Sequence, residues 1–314
     1  MTRTTRIAQL LAGAVALVAL PGCSSAPGAE GPDAGRTPSS DVPSTESTPG
    51  GTGTPGTTRG AAGLRYVALG DSYTSAPGVG EPTGPQGCLR TDGNYPHLLA
   101  ERLGLDLVDV SCGSATSSDL RSPQTAAGPE VAAQLDALTR DTDLVTISIG
   151  ANDDGLFGTL AVQCAGLGPF EEEASCSRSP RFADDRLGRE LSALARETAA
   201  SVRAIRERAP RAQVIVVGYP QIVPASGTCE RLPIDPAEIS FVREVNRRLA
   251  AALGRGARAS RAEYVDMWAA SAGHDVCAAE PWVAGLQPEQ PGAPLHPYAE
   301  HQAAVADELA ALVD

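Results

Sequence analysis

Five short apolar runs, spaced by stretches long enough for helices, constrain this chain more than any other feature. They are "RYVAL" at 65–69, "LDLVDV" at 105–110, "DLVTISIG" at 143–150, "QVIVVGYP" at 213–220 and "AEYVDM" at 262–267. Short, β-branched runs bounded by turn formers read as strands. Three of them are almost continuously apolar, as strands covered on both faces are. Between them, 95–103, 129–138, 184–208, 236–253 and 297–313 read as helices. In 184–208, Leu187, Leu191, Leu194, Ala195, Thr198, Val202 and Ile205 fall on one stripe. Pro236 and Pro297 each stand where a helix would start, and proline suits the first helical position. This alternation predicts an α/β fold, a parallel sheet with helices on both faces. In such sheets ligands bind beyond the carboxyl ends of the strands, and function is to be sought there.

The folded part does not include the whole of the 314 residues. Residues 1–22 carry Arg3 and Arg6 and then the apolar stretch 7–20, the pattern of an export signal and too short for a membrane span. "LPGC" at 20–23 resembles the lipobox of bacterial lipoproteins, which implies lipid on Cys23 and attachment to the membrane outside the cell. A plain secretory signal with a chance cysteine is the alternative. Residues 23–63 are mostly Gly, Pro, Ser and Thr, with hardly a large apolar side chain to offset the entropy of ordering, and read as a disordered tether. Residues 64–314 remain as one α/β domain with a full core. The formal charge is −13 and the chain has no lysine, so there is no basic patch and nucleic acid is not expected as a partner.

With Cys23 set aside, Cys88, Cys112, Cys164, Cys176, Cys229 and Cys277 remain. An even number in an exported domain reads as three disulfides, whose pairing composition does not choose. No C-x-x-C pair occurs, so no zinc site is expected.

The chemically suggestive segments all lie at one edge. "GDS" (70–72) follows the first strand, "CGS" (112–114) the second and "GAND" (150–153) the third, while "LHP" (295–297) precedes the last helix. Ser72 is not in the G-x-S-x-G elbow, because Thr74 stands where the second glycine would be. "GVGEPTG" (78–84) lacks the spacing of a dinucleotide loop, and without lysine there is no phosphate-cradling loop. Ser72 at a strand end is then a candidate nucleophile, or a helix-capping serine. Of four histidines, His97 sits in an apolar helix pattern, His274 in a loop near a cysteine, and His301 inside the last helix, where it could be at the surface. His296, on the loop before that helix, best suits a general base. Gly113 could offer its N–H and Asn152 its side-chain amide to an oxyanion, though a turn glycine and a turn asparagine are the bland readings. Asp71 and Asp153 are read as structural, tying their loops through hydrogen bonds to backbone.

Ser, Gly, Asn and His in that order, in "GDSY", "CGSAT", "GAND" and "LHP", resemble the SGNH hydrolases, also called GDSL esterases and lipases. "VALGDSYTSAPG" and "IGAND" are its most specific segments, and the likeness spans 64–314. It implies a three-layer α/β/α, flavodoxin-like fold on a five-stranded parallel sheet. It further implies a serine esterase or lipase that needs no cofactor or metal and acts on small-molecule or lipid esters as a monomer. Ser72 is then the nucleophile and His296 the base, with Ser72 N–H, Gly113 N–H and the Asn152 amide as the oxyanion hole. The secreted actinobacterial branch, which "SAGHDVC" resembles, implies sequential disulfides Cys88–Cys112, Cys164–Cys176 and Cys229–Cys277. One feature departs from the family. Its last block is Asp-x-x-His, and Ala293 stands where the aspartate would be. The expectation is therefore a Ser–His dyad whose imidazole is oriented by a main-chain carbonyl, that of Ala293, with Asp275 or Glu289 as the carboxylate alternatives. The rival readings are a catalytically silent, lipid-anchored binding protein of the same fold and an esterase acting on acetylated carbohydrate or phospholipid.

Overall fold

The computed structural model describes residues 61–125, 129–165 and 176–313. The proposed signal, the tether up to residue 60 and Cys23 lie outside them. Seven strands are present: β1 (Arg65–Gly70), β2 (Asp106–Asp109), β3 (Gln124–Thr125), β4 (Glu130–Val131), β5 (Leu144–Ser148), β6 (Gln213–Val217) and β7 (Glu263–Val265). The helices are α1 (Ser72–Ser75), α2 (Tyr95–Leu103), α3 (Leu156–Gln163), α4 (Asp184–Arg208), α5 (Ile239–Ser260), α6 (Met267–Ala270) and α7 (Ala299–Val313).

Five strands form one parallel sheet in the order β2-β1-β5-β6-β7. That is the flavodoxin-like order, whose chain reversal beside β1 leaves a crevice at the carboxyl edge. Both faces of the sheet are covered. Val67 and Leu69 of β1, Val145 and Ile147 of β5, and Val214 and Val216 of β6 pack with α4 and α5. The alternate residues Tyr66, Ala68, Leu144, Ile215 and Val217 pack with α2 and α7. A two-residue side-chain period with both sets buried explains why these strands read as unbroken apolar runs. Each fully buried Val or Leu contributes about 1.5–3 kcal/mol. The two long helices cross closely because α5 carries Gly256, where a Cβ would come within 2.6 Å of the Ala195 carbonyl.

Three helix expectations change, the first being that α5 begins at Ile239 rather than Pro236, which lies in a turn ahead of it, and runs on to Ser260. Residues 129–138 are not a helix but the short strand β4, paired antiparallel with β3, and a single 3-10 turn at Gln134–Ala137. The Gln134 side chain accepts from Gly70 N at 2.8 Å and donates to Gly70 O at 2.9 Å, which pins this segment to the end of β1. Helix α7 begins at Ala299 rather than Pro297, because Pro297 is in an extended bridge with Val283.

Candidate active site

Asp71 follows β1 and caps α1: its carboxylate accepts from Tyr73 N at 2.9 Å, which leaves Ser72 as the first helical residue rather than the cap. Ser72 is therefore not tied up in capping, and it is 8% exposed. The second Asp71 oxygen accepts from the Tyr219 hydroxyl at 2.5 Å, and that hydroxyl accepts from Ala151 N at 3.0 Å. Tyr219 thus couples the turn of Ser72 to the Asn152 loop. Burial pushes the Asp71 carboxyl up to about 7, against the lowering effect of the Tyr219 and Tyr73 bonds. Asp153 likewise ties its loop, accepting from Ser117 N at 2.8 Å and Ser117 Oγ at 2.7 Å.

His296 reaches the same edge. Tyr73, next to Ser72, donates its hydroxyl to the carbonyl of Leu295, next to His296, at 2.8 Å. Its ring lies 5.5 Å from the imidazole centroid, and Phe157 packs edge-on to the imidazole at 5.6 Å. The Ser72 hydroxyl and the imidazole do not hydrogen-bond to each other in this conformation, a looseness common before substrate binds. His296 Nδ1 is 2.8 Å from the carbonyl oxygen of Pro294. The expected carbonyl was that of Ala293, and this is corrected. Ala293 O accepts the His296 backbone N–H at 3.1 Å, closing a tight turn with Leu295 at φ 59°. That turn uses up the Ala293 carbonyl and leaves the ring beside the carbonyl two residues back. The carboxylate alternatives are engaged elsewhere, Glu289 with Arg231 and Asp275 with Cys277 N.

Burial holds the His296 imidazole below its ordinary value, opposed by the Pro294 carbonyl. A base at His296 would act only when neutral, so the acid limb of kcat/KM against pH is expected to have its inflection below about 6.5, the usual histidine value. A carboxylate partner would raise that inflection. A measured value clearly above 6.5 would contradict the carbonyl-oriented ring.

Gly113 does not offer the N–H expected of it. Gly113 N–H donates to Cys88 O at 2.8 Å, beneath the Cys88–Cys112 disulfide, and is not free for a ligand. A Cβ on Gly113 would stand 3.0 Å from that carbonyl, so glycine serves close packing here. Asn152 donates one amide hydrogen to Ala115 O at 3.0 Å, leaving the other N–H of the group for a ligand.

The other histidines take different places. His97 bonds Asn94 Oδ1 at 2.7 Å, and His274 stacks on Trp282 at 4.2 Å. His301 is not at the surface: it is 2% exposed with no hydrogen bond at either ring nitrogen, and burial drives its pKa down to about 3. Its ring lies edge-on to that of Trp282 at 6.3 Å, and the buried residues of α7 include it together with Gln302 and Val305. Tyr219, Gln134 and Phe157 escaped the sequence reading. Tyr219 carried a usable signal, since it follows β6 at the carboxyl edge. The disulfides present are Cys88–Cys112, Cys164–Cys176 and Cys229–Cys277, which fit an exported protein.

Over residues 68–304 the sequence matches the GDSL-like Lipase/Acylhydrolase family. The chain belongs to that family. This GDSL hydrolase is 38% identical to Lipase 2 of Streptomyces coelicolor over 246 residues, 75% of this chain and 81% of the relative. It is 29% identical to Lipase of Streptomyces rimosus over 220 residues, 69% of this chain and 75% of the relative. Among solved structures it is similar to phospholipase A1 from Streptomyces albidoflavus, with TM-score 0.66, 27% identity, and coverage of 80% of this chain and 99% of that one. The extracellular lipase from Streptomyces rimosus gives TM-score 0.63 and 26% identity over 79% of this chain and 99% of that one. The GDSL hydrolase is thus an esterase or lipase with the expected five-stranded α/β fold.

Proposed function

We propose that residues 64–314 hydrolyse carboxylic esters of apolar acyl groups through an acyl-enzyme on Ser72. His296 acts as base and then acid, and its ring is oriented by the Pro294 carbonyl. The observation that carries this reading is the Tyr73–Leu295 bond, which joins the segments of Ser72 and His296 at the carboxyl edge of the sheet. With Nδ1–H donated to Pro294 O, Nε2 is left as the acceptor. It takes the Ser72 proton as Oγ attacks the ester carbonyl, and gives that proton to the departing alkoxide. Water, deprotonated by the same nitrogen, then cleaves the acyl-serine bond and restores the hydroxyl. A neutral carbonyl fixes the tautomer but lends no full negative charge to the imidazolium, so the dyad relies more heavily on the oxyanion donors.

The acyl preference rests on a cavity next to the His296 loop, lined by Phe157, Leu160, Ile222, Val223, Leu232 and Leu295 among others. Its one polar side chain, Asn246, is spent on Ile222 N and Pro220 O. An apolar, water-poor wall of this kind suits an alkyl chain. The relatives' names, lipase and phospholipase A1, agree with lipid esters. Leu160→Trp is expected to lower kcat/KM for octanoate relative to acetate p-nitrophenyl esters by about 10- to 100-fold, since each methylene in such a pocket is worth about 1–3 kcal/mol. An equal fall for both esters would remove the cavity from the account.

Export and lipidation at Cys23 complete the proposal, supported by the "LPGC" segment and by the three disulfides. Cys23→Ala is expected to move the protein from the membrane fraction to the soluble one, and retention in the membrane would refute the anchor.

A further inference from the structure

With Gly113 N–H bonded to Cys88 O, the donor that the second strand's turn offers to a reacting oxygen must come from elsewhere. We infer that the backbone N–H of Ser114, and not that of Gly113, completes the oxyanion hole; this rests on Ser72 being the nucleophile. The turn 112–115 is closed by Ala115 N–H to Cys112 O at 3.2 Å, and its third residue, Ser114, has φ 62°. That left-handed position in a tight turn is the one that favours glycine. Gly113, one residue earlier, is not in the left-handed region. A serine is therefore held in a conformation that a glycine would adopt more easily, which turns the Gly113–Ser114 peptide over.

The direction of that peptide follows from its other end. Gly113 O accepts from the buried Gln124 Nε2 at 2.8 Å. In a planar trans peptide the C=O and the N–H point in opposite directions, so Ser114 N–H points away from Gln124. Among the described residues it has no protein acceptor. The turn stands between the other two proposed donors. Cys112 N–H bonds Gly70 O at 3.0 Å, two residues before Ser72, and Ala115 O accepts from Asn152 Nδ2 at 3.0 Å. The Ser72 N–H is likewise without an acceptor among the described residues. Two unpaired backbone donors and one spare amide hydrogen are thus gathered at the carboxyl ends of β1, β2 and β5.

The test uses the intact domain, ¹⁵N-labelled and inhibited with diethyl p-nitrophenyl phosphate, whose phosphoryl oxygen stands in for the tetrahedral oxyanion. Mass spectrometry first locates the adduct. With the adduct on Ser72, the Ser114 amide proton is expected to move downfield while that of Gly113 stays in place; a Gly113 shift with Ser114 unmoved overturns the inference and leaves the esterase reading intact. No adduct on Ser72 overturns both. A second measurement replaces single peptide bonds by esters. Removing the Ser114 N–H is expected to lower kcat about 10²–10³-fold with KM little changed. Removing the Gly113 N–H should lower Tm and spare kcat, and the reverse pattern overturns the assignment.

Discussion

Ser72→Ala is expected to lower kcat/KM for p-nitrophenyl esters by about 10⁴–10⁶-fold, and His296→Ala by a similar factor. The reason is that in the proposed mechanism the two groups perform one act. Without the imidazole the hydroxyl keeps its proton, and without the hydroxyl the imidazole has nothing to activate. The double variant should therefore be no slower than either single one, since groups acting as a unit are far from additive. Neither change should disturb the fold. Ser72 leaves capping to Asp71, and the loop of His296 is held by Tyr73 through the Leu295 carbonyl, not through the ring. A single variant that keeps full activity, or a double variant whose loss is the product of the singles, would contradict the dyad.

Asn152→Ala is expected to cost about 10²–10³ in kcat with KM nearly unchanged, because in the proposed oxyanion hole its amide would meet an oxygen that carries charge only in the transition state. Asn152→Asp should be at least as damaging, for it keeps the size, removes both N–H groups and sets an acceptor where the anion forms. The same amide also holds Ala115 O at 3.0 Å, so part of either loss could come from a moved turn. The split between kcat and KM separates the two effects, and a large rise in KM with kcat preserved would assign Asn152 to ground-state positioning.

Much of this architecture could be read from residue order. The runs that became β1, β5 and β6 are apolar on both faces because α4 and α5 cover one side and α2 and α7 the other. The stripe from Leu187 to Ile205 marked the helix that became α4, whose buried residues include most of it. The place of the site was legible for the same reason: four motifs followed or faced strand ends, and a parallel sheet brings such ends together. Local backbone geometry was not legible. Whether Ala293 or Pro294 faces the imidazole depends on a turn with Leu295 in the left-handed region. Whether Gly113 or Ser114 has a free N–H depends on where the Cys88 carbonyl falls, and that is fixed by a contact 25 residues away in sequence. Residues 129–138 misled because their period allowed a helix, while Gln134 was needed at Gly70. His301 misled because it is buried beside Trp282, a residue of the loop before α7, which no local pattern reports.

The central claim is that Ser72 carries the acyl group during turnover. Acid-quenching the enzyme within milliseconds of mixing with p-nitrophenyl octanoate, then mapping the added mass by peptide mass spectrometry, tests it most directly. The account predicts an octanoyl group on Ser72 that decays at the turnover rate and is absent from Ser72→Ala. Steady hydrolysis with no acylated serine, or with the acyl group on another residue, would contradict it.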